Sequence, residues 1–129
     1  MINKKSVEPS ETPEDYWCRL ISKSGIADSA FATKDKFIIG RAPTSDLQIK
    51  NGRISGLHCT LSKEKQENES ETKFFIEDNS SNGTFVNDKK LEKGIKFPLK
   101  NGDQIILLKD NKGLFTINIR LYWFYLYIK

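Results

Sequence analysis

From Tyr16 onward the chain is a succession of short apolar runs, and no segment keeps helical spacing for three turns. The runs are "YWCRLIS", "KFIIG", "DLQIK", "LHCTLS", "KFFIED", "TFVN", "FPLK", "QIILL" and "LFTINIRL", each bounded by Gly, Pro, Asn, Asp or Lys. All are strand-length and rich in Ile, Phe and Val, which fit a pleated surface better than a helix. Two alternate clearly. Leu57, Cys59 and Leu61 fall on one face against His58, Thr60 and Ser62, and Phe115, Ile117, Ile119 and Leu121 oppose Thr116, Asn118 and Arg120. Many short strands at this spacing predict an all-β antiparallel sandwich or barrel. At 129 residues the chain suits one such domain with a core of its own.

The ends and one insertion break the pattern. Residues 1–14 are polar, carry Pro9 and Pro13 and show no period, so they read as a flexible N-terminal arm. The domain is expected over 15–121. "SKEKQENESETK", residues 62–73, holds no apolar side chain and reads as a long hairpin loop. After Leu121 the alternation stops and "YWFYLYI" runs apolar to Lys129, far too short for a membrane span. This tail, 122–129, reads either as a last strand on the sandwich or as a docking edge for a following domain or partner. An abrupt end of this kind also fits a fragment of a longer protein.

Charge and cysteines narrow the function classes. A net charge of +4 suits an anionic partner but is modest for nucleic acid. Lysines such as Lys4, Lys5, Lys63, Lys89, Lys90 and Lys112 are scattered rather than massed in one stripe, which argues against DNA or RNA. Cys18 and Cys59 form no C-x-x-C, and His58 is the sole histidine, so no zinc spacing or disulfide framework exists. Both cysteines read as buried thiols. The N-terminus lacks the apolar run of a signal peptide, so the expected setting is intracellular, nuclear or cytoplasmic, with the sequons at Asn68, Asn79 and Asn82 unmodified.

No enzyme class fits. Ser55 and His58 are three apart, which in a strand sends their side chains to opposite faces, and there is no G-x-S-x-G elbow. "GRAPTSD", residues 40–46, lacks the G-K-S/T ending of a nucleotide phosphate loop. As a binding surface the same residues make better sense. Arg41 follows the strand "KFIIG", Ser55 precedes an alternating strand, and Ser81, Asn82 and Gly83 sit in a turn before "TFVN". A guanidinium, a hydroxyl and a carboxamide on three inter-strand loops could converge at one end of a sandwich. That set suits a phosphorylated peptide, with the guanidinium forking onto phosphate oxygens and the amide gripping main chain.

"GR" at 40, "S-x-x-H" at 55–58 and "N-G-T-F-V-N" at 82–87, in that order, resemble the forkhead-associated (FHA) domain over about residues 17–121. The resemblance implies an eleven-stranded antiparallel β-sandwich of the FHA / SMAD-like kind that binds phosphothreonine peptides at one end, with no cofactor, metal or catalysis. It implies Arg41 and Ser55 on the phosphate, Asn82 on the peptide main chain, Ser81 lining the site, and Gly40, His58 and Gly83 holding the loops. Gly56 stands where some members carry a longer polar side chain, and offers its backbone N–H instead. Arg53 matches a position that in some checkpoint-kinase members reads an acidic residue three after the phosphothreonine. The family generally selects threonine through a small pocket for its methyl. In the arm, Thr12 and Asp15 have that spacing, so a phosphorylated Thr12 is a candidate for phosphorylation-dependent self-association. A structural or dimerising sandwich using the aromatic tail is the alternative function, and a checkpoint-type kinase is the expected parent.

Overall fold

In the computed structural model, residues 15–22, 29–65, 71–110 and 113–121 are described, the last nine and Asp110 by their backbone alone. The strands are β1 (Cys18–Ser22), β2 (Ala30–Ala32), β3 (Lys36–Gly40), β4 (Leu47–Gln48), β5 (Cys59–Lys65), β6 (Thr72–Asp78), β7 (Phe85–Val86), β8 (Lys89–Lys90), β9 (Phe97–Pro98), β10 (Gln104–Asp110) and β11 (Gly113–Leu121). They form two sheets, ordered β2-β1-β11-β10-β7-β8 and β4-β3-β5-β6-β9. Among the described residues there is no helix, and none could cross a membrane as one. The arm at 1–14, with Thr12, and the tail at 122–129 lie outside the described residues.

The core sits between the sheets and is built by the alternating faces of their strands. Trp17, Leu20, Ile39, Leu61, Ile76, Ile105 and Leu107 are fully buried within it. Each such aliphatic side chain contributes about 1.5–3 kcal/mol by leaving water. Trp17 stacks on Phe74 at 5.3 Å, and its indole N–H donates to the Lys34 carbonyl (2.9 Å), so the ring is buried without stranding its polar atom.

Four expectations need correction. The sheets are not wholly antiparallel, because β4 lies parallel to β3, with Ile39 opposite Leu47. Both ends of the charged stretch 62–73 are strand rather than loop: β5 runs to Lys65 and β6 starts at Thr72, paired in register from Cys59↔Asp78 to Lys65↔Thr72, while 66–70 lie outside the described residues. Lys63, Glu64, Lys65 and Lys73 lie on a ladder whose backbone pairs regardless of side chain, and Ser62 is buried. Two short strands without apolar alternation, β2 and β8, were not legible as strands; "AFA" and "KK" pair only because neighbours accept them.

The fourth concerns residues 55–58, which are turn rather than strand. Leu57 is 47% exposed while His58 is fully buried, the reverse of the expected faces, because β5 begins at Cys59. Cys18 and Cys59 are both buried and neither is in a disulfide, and burial with the nearby Asp78 charge pushes the Cys59 thiol far up, so it stays protonated and inert.

The candidate ligand-binding end of the sandwich

One rung of the second sheet places the loops. Ile39 pairs with Cys59, and Cys59 with Asp78, as the end rung shared by three adjacent strands. The loops leaving at Gly40, entering at His58 and leaving at Asn79 therefore start side by side. Two further hydrogen bonds extend the rung: His58 N–H to the Ile39 carbonyl and Asn79 N–H to the His58 carbonyl, both 2.9 Å. Segment 79–84 then crosses from β6 in one sheet to β7 in the other, so its turn caps the gap between them.

Short hydrogen bonds tie these loops into one surface. The Arg41 amide donates to the Ser55 carbonyl (2.9 Å), and the Ala42 amide to the Gly56 carbonyl (3.2 Å). Arg41 Nε donates to the Ile54 carbonyl (2.8 Å), which uses one edge of the guanidinium and leaves the Nη1/Nη2 end for a partner. The Ser81 amide donates to Ser55 Oγ (3.0 Å). With that lone pair taken, the Ser55 hydroxyl still has its own proton to give. Asn82 Nδ2 donates to the Arg53 carbonyl (3.0 Å), a bond that does not use the carboxamide oxygen. Arg41, Arg53, Ser81 and Asn82 are exposed, and Ser55 and Gly56 half-buried.

Gly40 and Gly83 are constrained differently. A Cβ on Gly40 would lie 2.1 Å from the Gly56 carbonyl oxygen, a backbone atom with no room to yield. Gly83 has φ +104°, a conformation that side chains resist. Gly56 has neither constraint, since a Cβ there would meet nothing nearer than Ala42 Cβ at 4.0 Å. Its carbonyl also accepts from Ser45 Oγ (3.4 Å), so it serves the loop through backbone.

His58 is a buried brace beneath the cradle. Nδ1 accepts from the Ser55 amide (3.1 Å), so the ring proton sits on Nε2 and is directed at the Gly83 carbonyl (3.1 Å). Ser55 and His58 are thus in contact through main chain, not separated as on a strand. Burial holds the imidazole below its ordinary 6.5, against the weaker opposing effects of the Gly83 carbonyl and the Asp78 charge. The sign follows: in acid the unfolded chain takes up a proton that the folded one refuses, so stability is complete above about pH 6.5 and falls below it. Thermal melts from pH 7.5 to 5 should show this decline, and a smaller one in His58→Gln. Equal slopes in the two proteins would exclude His58 as the cause.

Sequence reasoning missed a second brace. Asp78 is buried, and its Oδ1 accepts from the Ser80 amide (3.0 Å), the Ser80 hydroxyl (2.6 Å) and the Thr84 hydroxyl (2.7 Å). Ser80 Oγ in turn accepts from the Gly83 amide (2.8 Å). The Asp-x-Ser spacing at 78–80 is that of an Asx turn, and it was the available signal. Among the described residues no group of His, Cys, Asp or Glu could hold a metal ion.

Chemically, the exposed end offers a guanidinium fork, a hydroxyl proton and a carboxamide within one hydrogen-bonded frame. The FHA-domain family model matches residues 37–108. The chain is 34% identical over 84 residues to the probable serine/threonine-protein kinase fhkA of Dictyostelium discoideum, covering 63% of this chain and 14% of that protein. It is 37% identical over 79 residues to the E3 ubiquitin-protein ligase CHFR of Xenopus tropicalis, covering 60% of this chain and 12% of that one. The chain thus spans a small part of the length of the curated relatives it matches. In fold it is similar to the N-terminal FHA domain of S. cerevisiae Rad53p, solved with a phosphothreonine peptide: TM-score 0.77, 20% identity, 88% of this chain and 99% of that one.

Proposed function

The chain belongs to the forkhead-associated family, and on that premise we propose that it is a phosphothreonine-peptide recognition module. It serves phosphorylation-dependent contact between proteins and is a binding module rather than an enzyme. The observation that carries this reading is the orientation of Arg41. With Nε held by the Ile54 carbonyl and the residue exposed, its Nη1/Nη2 fork is left over to take two oxygens of a phosphate. Ser55 gives the phosphate a hydroxyl proton, Gly56 its backbone N–H, and Ser81 lines the same site. Asn82 bonds the peptide main chain, and Arg53 reads an acidic residue three after the phosphothreonine. Gly40, His58 and Gly83 keep these groups in place. No cofactor is required.

Matching segments stand in a kinase and in a ubiquitin ligase, so either activity is compatible with a neighbouring domain. We place the module inside the cell, where phosphothreonine is made.

Titration of fluorescent phosphothreonine peptides from an oriented library, each with its unphosphorylated twin, tests the reading. The phosphorylated member should bind and its twin should not, and affinity should fall as salt rises, because the phosphate brings close to two negative charges. Equal binding of the twins across the library would overturn it.

A further inference from the structure

The sequence contains three Asn-Gly pairs, at 51–52, 82–83 and 101–102. In such a pair the glycine nitrogen can attack the preceding side chain, because no Cβ obstructs the approach. The glycine N–H gives its proton to solvent, the nitrogen bonds the asparagine Cγ, and the Cγ–Nδ2 bond breaks, with Nδ2 leaving as ammonia. Water then opens the cyclic imide to aspartate or isoaspartate, and nothing is oxidised or reduced. Two conditions must be met: the N–H must be able to lose its proton, and the carboxamide must be able to swing onto the nitrogen.

The three pairs meet these conditions differently. Asn101 and Gly102 are exposed at the tip of a turn closed by the Asp103 amide on the Lys100 carbonyl (3.1 Å), and the Gly102 N–H has no hydrogen bond among the described residues. The Gly52 N–H is likewise unbonded among them, but Asn51 Oδ1 accepts from the Arg53 amide (2.9 Å), which holds that carboxamide. Asn82-Gly83 is closed on both counts. Gly83 is buried, and its N–H donates to Ser80 Oγ (2.8 Å), which itself donates to buried Asp78 (2.6 Å). The carboxylate one hydrogen bond further opposes an anionic nitrogen at Gly83. The Asn82 carboxamide is tied by Nδ2 to the Arg53 carbonyl (3.0 Å).

We propose that the Ser80 hydroxyl protects Asn82 from spontaneous deamidation, and that Asn101 is where this chain is modified instead. The chemistry does not depend on what the cradle binds. Its consequence rests on the phosphopeptide reading above: aspartate at 82 would lose the Nδ2 donor that ties the turn to Arg53 and would set a negative charge beside the phosphate.

The test ages the whole chain in mildly alkaline buffer, folded or in urea, and follows the three sites by peptide mapping with mass spectrometry. In urea the three should convert at similar rates. In the folded protein Asn101 should convert first, Asn51 next and Asn82 last, with Asn82 at least about tenfold slower than Asn101, because its attack must first break buried hydrogen bonds. Ser80→Ala should speed Asn82 alone, whereas general loosening would carry Asn51 with it. Amide hydrogen exchange on the wild type decides the matter should that variant unfold, since exchange and attack begin with loss of the same proton: Gly83 should exchange slowly and Gly102 fast. Asn82 converting as fast as Asn101 in the folded protein overturns the proposal, as does an Asn101 that stays intact. A fast-exchanging Gly83, or a folded Ser80→Ala with Asn82 unchanged, would also overturn it. Phosphothreonine-peptide binding unaffected in Asn82→Asp would instead remove the role of Asn82 in the reading above and leave the protection by Ser80 standing.

Discussion

Arg41→Ala is expected to weaken phosphothreonine-peptide binding by at least about thirtyfold, because truncating one partner of a hydrogen-bonded charge pair costs about 2–5 kcal/mol. The side chain has two separable jobs in this geometry. Nε fastens the guanidinium to the Ile54 carbonyl, and the outer fork meets the phosphate. Arg41→Lys keeps the charge but presents one ammonium in place of a fork and a tether, so it should recover only a small part of the affinity. The backbone bond from the Arg41 amide to the Ser55 carbonyl survives both changes, and the side chain is exposed, so the fold should hold. Calorimetric titration with thermal melts on the same samples separates the two effects. Wild-type affinity in Arg41→Ala would sink the assignment of Arg41 to the phosphate.

Gly40→Ala should cause the largest loss of stability from a single methyl. The new Cβ would sit 2.1 Å from the Gly56 carbonyl oxygen and 2.8 Å from its carbon. Backbone must move, and it is the backbone that joins the first two loops of the cradle through Ala42 N–H to Gly56 and His58 N–H to Ile39. Forced overpacking of this kind costs about 1–3 kcal/mol and occasionally more. For a domain near 100 residues that lowers the melting temperature by roughly 5–20 °C. Gly56→Ala is the internal control: its Cβ meets nothing within 4 Å except Ala42 Cβ at that distance, so its melt should stay near wild type. A Gly40→Ala melt as high as that of Gly56→Ala would contradict the packing described.

The family and its key positions were legible because they rest on local chemistry. Glycines at 40 and 83, an arginine after a strand and an Asn-Gly turn need no tertiary information to be noticed. The fold class was legible for a related reason: period-two runs such as "FTINIR" can bury one face only in a sheet. Elements whose existence depends on a partner were not. β2 and β8 have no apolar period of their own, and the charged arms of β5 and β6 form strands because each supplies the other's ladder. The 55–58 segment misled because "LHCTLS" alternates on paper, whereas His58 is drawn inward by two main-chain partners and Leu57 is left outside.

The sequence by itself determined an all-β sandwich and the identity of Arg41, Ser55 and Asn82 as the polar residues worth watching. Only tertiary structure decided that they meet. The Ile39–Cys59–Asp78 rung aligns three loops that are twenty or so residues apart in the chain. Buried Asp78 and His58 then brace the crossing turn from below. Local residue preference fixes which face a strand can bury. Register, sheet crossing and bulges are set by hydrogen bonds between segments distant in sequence, and those bonds locate the site.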